Sequence, residues 1–257
     1  MTDTPTGNAV AATQACLDAI EAHAETVNAM TTVTADAALR QAEGHNAFKL
    51  KIGFGQALDI RNLEALRDTL GGDAKLMVDA NQNYDLETAI EIAHLIERFD
   101  LKWYEEPMRV DAPLHHWRTL ADASPIPLAG GENLRAEQFD HAINDGILQV
   151  IQPDITKWGG ISGNLPMAKA ALGAGRLFCP HFFGGGIALL SSLHLLAATG
   201  GDGLLEFDSH PNAGRELIVG TLLPIKDGKV PVPQVPGLGS LPDLDALRRY
   251  QTWPPSS

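Results

Sequence analysis

The sequence predicts an α/β protein, and within that class a closed (β/α)8 TIM-type barrel, on three observations. Short apolar runs rich in β-forming residues alternate with longer segments of helical period, eight such pairs fit within 257 residues, and ionisable residues recur at the strand ends. AMTTVT (29–34) followed by ADAALRQAEGH gives the first pair. The next strands are AFKLKI (47–52), AKLMVDA (74–80), LKWYEEP (101–107) and IPLAGGE (126–132). ILQVIQPD (147–154), GRLFCPH (175–181) and GLLEFD (203–208) complete the set. Between them, DLETAIEIAHLIERF repeats Ile90, Ala93, Leu95, Ile96 and Phe99 near helical spacing, and ISGNLPMAKAALGAG ends in a glycine suited to terminate a helix. Strands separated by helices run parallel, because each crossover returns the chain to the same end of the sheet. A doubly wound open sheet is the rival, and the polar residues at the strand ends separate the two.

Composition bounds the function. With 44% apolar and 20% charged residues the chain is an ordinary globular mixture, not a disordered, collagenous or coiled-coil one. Its 19 basic and 32 acidic residues give a formal net charge of −13, a field that repels phosphate backbones and anionic membranes. Neither nucleic acid nor a membrane is therefore an expected partner. An anionic substrate needs a local positive centre, from clustered lysines or a metal ion. Only Cys16 and Cys179 are present, the opening MTDTPTGNAVAATQ lacks a basic start and an apolar stretch, and no apolar run approaches the roughly 18 residues of a membrane span. These features predict a cytoplasmic protein.

The site is read from the strand ends. Lys51, Asp79, Glu105, Glu132, Asp154, His181 and Glu206 follow one another at intervals of 28, 26, 27, 22, 27 and 25 residues. One such residue is an ordinary solvated strand end; seven at one βα unit apiece form a ring at the barrel mouth, where barrel enzymes place their chemistry. Alternation along a strand sets Lys49 beside Lys51 and Asp79 beside Asn81. Two ammonium groups on one inward face repel, and a lysine base near neutral pH must lie about 3 pH units below its reference value, roughly 4 kcal/mol. Asp79, Glu105 and Glu132 leave consecutive strands about 4.8 Å apart, and three converging carboxylates need a cation between them. Oxygen-only ligation is the habit of Mg2+, whereas Zn2+ recruits His or Cys. Asp154 and His181 end neighbouring strands, as a carboxylate does when it orients an imidazole, and the FFGGG after His181 lets a ligand approach. His181 is expected across the ring from Lys51, and Glu206 could donate a hydrogen bond to an oxyanion if kept neutral.

Residues 46–240 resemble the barrel of the enolase superfamily, in its mandelate racemase/muconate lactonizing enzyme branch. FKLKIG matches the KxK strand, VDANQ, YEEP and GEN the three metal-ligand positions, PDITKWGG the Asp before the glycine turn, PHFFGGG the His strand and LEFD the final Glu. The resemblance implies that Asp79, Glu105 and Glu132 bind Mg2+, that Lys51 is the base on one substrate face with Lys49 tuning it and contacting the carboxylate, and that His181, oriented by Asp154, acts on the other face. Lys157 and Asn81 are implied as substrate-binding, and Glu206 as a hydrogen bond to the enolic oxygen. The implied reaction removes the proton next to the carboxylate of a small substrate, an acid sugar or 2-hydroxy acid, through an enediolate. Loss of a β-hydroxyl would make the chain an acid sugar dehydratase; reprotonation from the far face would make it a racemase or epimerase. A homo-oligomer is also expected.

The expected organisation is an atypical N-terminal segment over 1–45, the barrel over 46–208 and a tail over 209–257. The superfamily carries a capping domain that about 45 residues ahead of the KxK strand do not accommodate, so a truncated, inactive metal-binding barrel stands as an alternative. Residues 1–45 weakly resemble an amidase N-terminal stretch without that family's nucleophile motif, and could supply the first strand and helix. The tail resembles the piece that packs on the cap. A dinucleotide site after the first KxK strand fails because Gly53 and Gly55 are followed by Leu58 where the third glycine should stand.

Overall fold

The computed structural model describes Gln41 and residues 44–208, 212–219 and 224–251. The chain divides into two compact units: one runs to Ala129 and takes in Ile225–Val230, the other runs from Gly130 to Pro224 and resumes at Pro231. The strands β1 to β6 follow chain order and are parallel wherever paired.

In the first unit, β1 (Ala47–Lys51), β2 (Lys75–Asp79) and β3 (Leu101–Glu105) form within the apolar runs that the sequence predicts, and β2 and β3 are buried on both faces as parallel strands are. β1 pairs with β2 residue for residue from Ala47↔Lys75 to Lys51↔Asp79, while β2 shifts register against β3 between Leu76 and Val78. After that shift Val78 faces Tyr104 and Asp79 faces Glu105, and Glu105 in turn faces Ala129 of β4 (Leu128–Gly130). Lys51, Asp79 and Glu105 therefore stand on one level at the C-terminal ends of successive strands. The helices α1 (Gln56–Leu70), α2 (Leu86–Ile96) and α3 (Leu114–Ala123) return the chain between strands. Asp85 caps α2 by accepting the Thr88 N–H at 2.9 Å, and Asp100, at φ 48, ends the 3-10 turn Glu97–Phe99. At the opposite strand ends Arg67 of α1 donates to the carbonyls of Gly71 (3.0 Å) and Ala74 (2.9 Å) ahead of β2 and of Phe99 (2.6 Å) ahead of β3.

In the second unit the strands are shorter. The Gly130 carbonyl of β4 accepts the Gln152 N–H at 2.8 Å, and β5 (Val150–Ile151) pairs with β6 (Leu177–Phe178). The helices are α4 (Ala136–Asn144), α5 (Gly160–Gly173), α6 (Gly186–Thr199), α7 (Ala213–Val219) and α8 (Leu244–Leu247). The helix end expected in ISGNLPMAKAALGAG is made by Gly175 at φ 73, with its N–H on Leu172 and the Arg176 N–H on Ala171. Phe182, Leu189, Leu190 and Val219 form a core against which Leu205 and Phe207 pack.

Two expected strands differ. AMTTVT (29–34) lies outside the described residues. GLLEFD (203–208) forms no regular strand. Beyond β6 the N–H groups of Cys179 and His181 both point to the β5 side, onto Ile151 and Pro153. The alternate donor toward residues 203–208 should be that of residue 180, which is proline and has none. The ladder is replaced by side chains: Leu204 N–H donates to Cys179 Sγ at 3.3 Å and Phe182 N–H to Glu206 Oε2 at 2.9 Å. No described helix is long and apolar enough to cross a membrane.

Candidate active site

In the first unit the functional side chains come from the shared level at the strand ends. Asp79 and Glu105 are almost wholly buried, at 0% and 1% exposure. Lys49 Nζ donates to Glu105 Oε1 at 2.7 Å and lies 3.8 Å from Asp79 Oδ2, while the half-exposed Lys51 pairs with the same Asp79 oxygen. The repulsion expected between the two lysines is thus answered by carboxylates placed beside each. Burial pushes the Asp79 carboxyl above its ordinary range, the Glu105 charge pushes it further, and Lys49 and Lys51 only partly offset both. Trp103, two residues before Glu105 on the same strand face, donates from Nε1 to Glu105 Oε2 at 3.0 Å. Asn81, at φ 47, bonds through its backbone N–H to Asp79 Oδ1 at 2.8 Å and leaves its own side chain exposed.

The second unit gathers its groups around one imidazole. His181 Nδ1 meets Asp154 Oδ2 at 2.9 Å, and its Nε2 meets Glu132 Oε2 at 3.0 Å. Asp154 Oδ1 also accepts the N–H and hydroxyl of Thr156, at 2.8 and 2.6 Å, which fixes the carboxylate that orients the ring. Lys157 Nζ donates to Glu132 Oε2 at 2.7 Å, and Glu206 is held by the Phe182 N–H. Burial pulls the imidazole down, but bonds to Asp154 and Glu132 and the Glu206 charge overcome it and hold His181 up at about 9. Burial works against the Glu132 charge as well, yet His181 and Lys157 hold that carboxyl at about 2. Gly131, at φ 143, precedes Glu132 because a Cβ there would come within 2.8 Å of the Gln152 backbone.

The ten residues singled out in the sequence thus fall into two sets: Lys49, Lys51, Asp79, Asn81 and Glu105 in one unit, Glu132, Asp154, Lys157, His181 and Glu206 in the other. Within each unit the expected partners meet. Trp103 and Thr156 were not foreseen. Alternation from Glu105 pointed to the first, and the D-x-T spacing after β5 to the second.

No group of three or more His, Cys, Asp and Glu side chains gathered as a metal site occurs among the described residues. The donor chemistry nevertheless suits a hard cation. Asp79 and Glu105 face each other in register, are buried and offer only oxygen.

Lysines, carboxylates and an acid-paired histidine at the C-terminal ends of parallel strands stand where α/β enzymes place their chemistry. The chain belongs to the enolase C-terminal domain-like family, whose model matches residues 32–246. That match begins inside the segment 1–45 set apart above. Among curated proteins the chain is 32% identical over 236 residues to a D-galactarolactone cycloisomerase of Agrobacterium fabrum, covering 88% of this chain and 62% of the relative. It is 37% identical over 199 residues to an L-talarate/galactarate dehydratase of Salmonella typhimurium, covering 76% and 47%. A solved mandelate racemase/muconate lactonizing enzyme from Bordetella bronchiseptica RB50 superposes with a TM-score of 0.80 at 44% identity, covering 85% of this chain and 61% of that one. The L-talarate/galactarate dehydratase solved with Mg and L-glucarate gives 0.76 at 33% identity, covering 85% and 53%. The chain spans about half to three fifths of the length of these relatives.

Proposed function

We propose that the chain carries a lyase site that removes the proton next to the carboxylate of an acid sugar and expels the β-hydroxyl as water. Asp79, Glu105 and Glu132 are the carboxylates that take Mg2+. When bound, the ion supplies positive charge to the substrate carboxylate as it becomes an enediolate, a preorganised stabilisation of the kind worth on the order of 10² to 10³ in rate per contact.

The remaining work belongs to side chains. Lys51, in its neutral form, accepts the α-proton at Nζ, and Lys49 contacts the substrate carboxylate. Lys157 and Asn81 bind the substrate, and Glu206, which accepts the Phe182 N–H here, donates to the enolic oxygen once it carries a proton. His181 gives its Nε2 proton to the departing hydroxyl, and Asp154 holds the ring by Nδ1. The enol left behind tautomerises to a 2-keto acid.

One observation carries the acid role of His181: it is buried, bonded to Asp154 at 2.9 Å through Nδ1 and pushed up by its acidic neighbours, as suits a group that delivers a proton, and delivery to a β-hydroxyl rather than to carbon follows the dehydratase among the relatives. The L-talarate/galactarate dehydratase among the relatives supports loss of water from an acid sugar. Incubating the full chain and Mg2+ with a panel of aldonates, aldarates and their lactones in D2O tests it. Mass spectrometry is expected to show loss of water from at least one acid sugar. Rearrangement of a lactone without change of mass would point to cycloisomerisation, deuterium entry with inverted configuration to racemisation. Absence of α-proton exchange on every substrate would end the proposal.

A further inference from the structure

We propose that Gln82 and Asn83 are positioning residues, a two-way clasp that fixes the exits of the strands bearing Lys51, Asp79 and Glu105. The inference rests on the roles assigned above to those three side chains. It is carried by the loop after β2, which reaches both of its neighbours within the first unit. Backwards, Asn83 Nδ2 donates to the Gly53 carbonyl at 2.9 Å, two residues beyond Lys51. The contact is so close that a Cβ on Gly53, at φ 100, would stand 2.7 Å from that nitrogen. The far side of the same turn is held by Asp59, which accepts the N–H groups of Gly53 (2.9 Å) and Phe54 (3.3 Å). Forwards, Gln82 N–H donates to the Glu106 carbonyl at 2.7 Å and Gln82 Oε1 accepts the Val110 N–H at 2.8 Å. Tyr84 N–H adds a bond to the Pro107 carbonyl at 3.0 Å.

The clasp holds backbone that would otherwise relax. Asn81, Gln82 and Glu106 sit at φ 47, 65 and 39, a left-handed region that residues other than glycine occupy only when their surroundings compel it. The first and last of these adjoin the site: Asn81 donates to Asp79 Oδ1, and Glu106 follows Glu105 directly. Releasing Gln82 frees the β3 exit and alters how Asp79 and Glu105 present their oxygens. Releasing Asn83 frees the β1 exit, which carries Lys51 but neither carboxylate.

The two halves have separable readouts. Mn2+, added alone to the full chain and followed by paramagnetic titration, reports the carboxylates; α-proton exchange at saturating metal reports Lys51. Gln82→Met, of similar length but without the oxygen that holds Val110, should weaken Mn2+ binding about tenfold, the lower end of what loss of ligand-orienting groups costs, because the main-chain bonds to Glu106 and Pro107 remain. Gln82→Glu, which keeps an oxygen for Val110, should stay within about threefold of the parent on the same grounds. Asn83→Ala should leave Mn2+ affinity within about threefold yet slow exchange about tenfold, the scale on which misplacing a catalytic group acts. If Gln82→Met does not fold, Gln82→Asn, one methylene too short for Val110, carries the same expectation. Lower thermal stability with unchanged Mn2+ affinity and exchange would overturn the clasp. Failure of the parent chain to bind Mn2+ any better than Asp79→Asn would overturn the site assignment itself, a different result.

Discussion

The two units hold their reactive groups by different means. In the first, Lys51, Asp79 and Glu105 are the last residues of five-residue strands and their level is set by the ladder itself. Two ammonium groups there face two carboxylates. In the second, Asp154 and His181 each lie three residues beyond a two-residue strand, joined by one isolated parallel bridge, and their geometry is set by side chains. Lys157 and His181 there serve Glu132, Asp154 and Glu206, a surplus of negative charge that keeps the imidazole protonated. A ladder fixes where a group stands; a hydrogen-bond network fixes which proton it carries. On the proposed roles, the first device serves Lys51 as base with two of the three metal carboxylates, and the second serves His181 as acid and holds the third carboxylate, Glu132.

The sharpest way to break this contrast is to remove one member from each unit. Lys51→Ala should abolish α-proton exchange, whereas His181→Asn should stop loss of water while leaving exchange in place, each by about 10² to 10⁴ in rate, the usual contribution of a positioned acid or base. Deuterium exchange and product formation, measured together, check it; equal loss of both in both variants would show one undivided role. Next in size is Asp154→Asn. A histidine whose folded value is raised stabilises the fold fully below its unfolded value near 6.5, and that contribution is lost as pH rises through about 9. The variant should move the imidazole titration, followed by proton NMR, down from about 9 toward or below 6.5, with the alkaline fall in melting temperature moving the same way. A titration left near 9 would place the cause elsewhere. The smallest effect is expected at Trp103→Phe, which takes a donor from the buried Glu105 carboxylate. Roughly 1.5 to 3 kcal/mol of stability should be lost in urea unfolding, since the bond is to a charged group. No loss would mean that the other partners of Glu105, Lys49 among them, satisfy that side chain.

The same division explains what the sequence could reveal. Lys51, Asp79 and Glu105 were legible because strand spacing and period two are read directly along the chain, and the ladder preserves them. Asp154 and His181 were legible as a pair for the same reason, and D-x-T signalled Thr156, but nothing in their spacing announces the bond to Glu132, which depends on how loops turn after short strands. GLLEFD read as a strand from its composition, and Pro180, on a neighbouring segment, denied it a ladder donor. Gln82 and Asn83 stood in plain sight within VDANQN; their side-chain bonds to residues 28 and 30 away, respectively, are invisible until the loops are folded.

Arg67 has a consequence for how such a protein can change. Its guanidinium ties together the carbonyls that lead into β2 and β3, at the ends of those strands farthest from Asp79 and Glu105. The alignment of the strands is therefore held from below, by a side chain placed away from the proposed site. Loops above can lengthen, shorten or trade side chains over evolutionary time, and selectivity can drift with them, while the frame beneath stays in step.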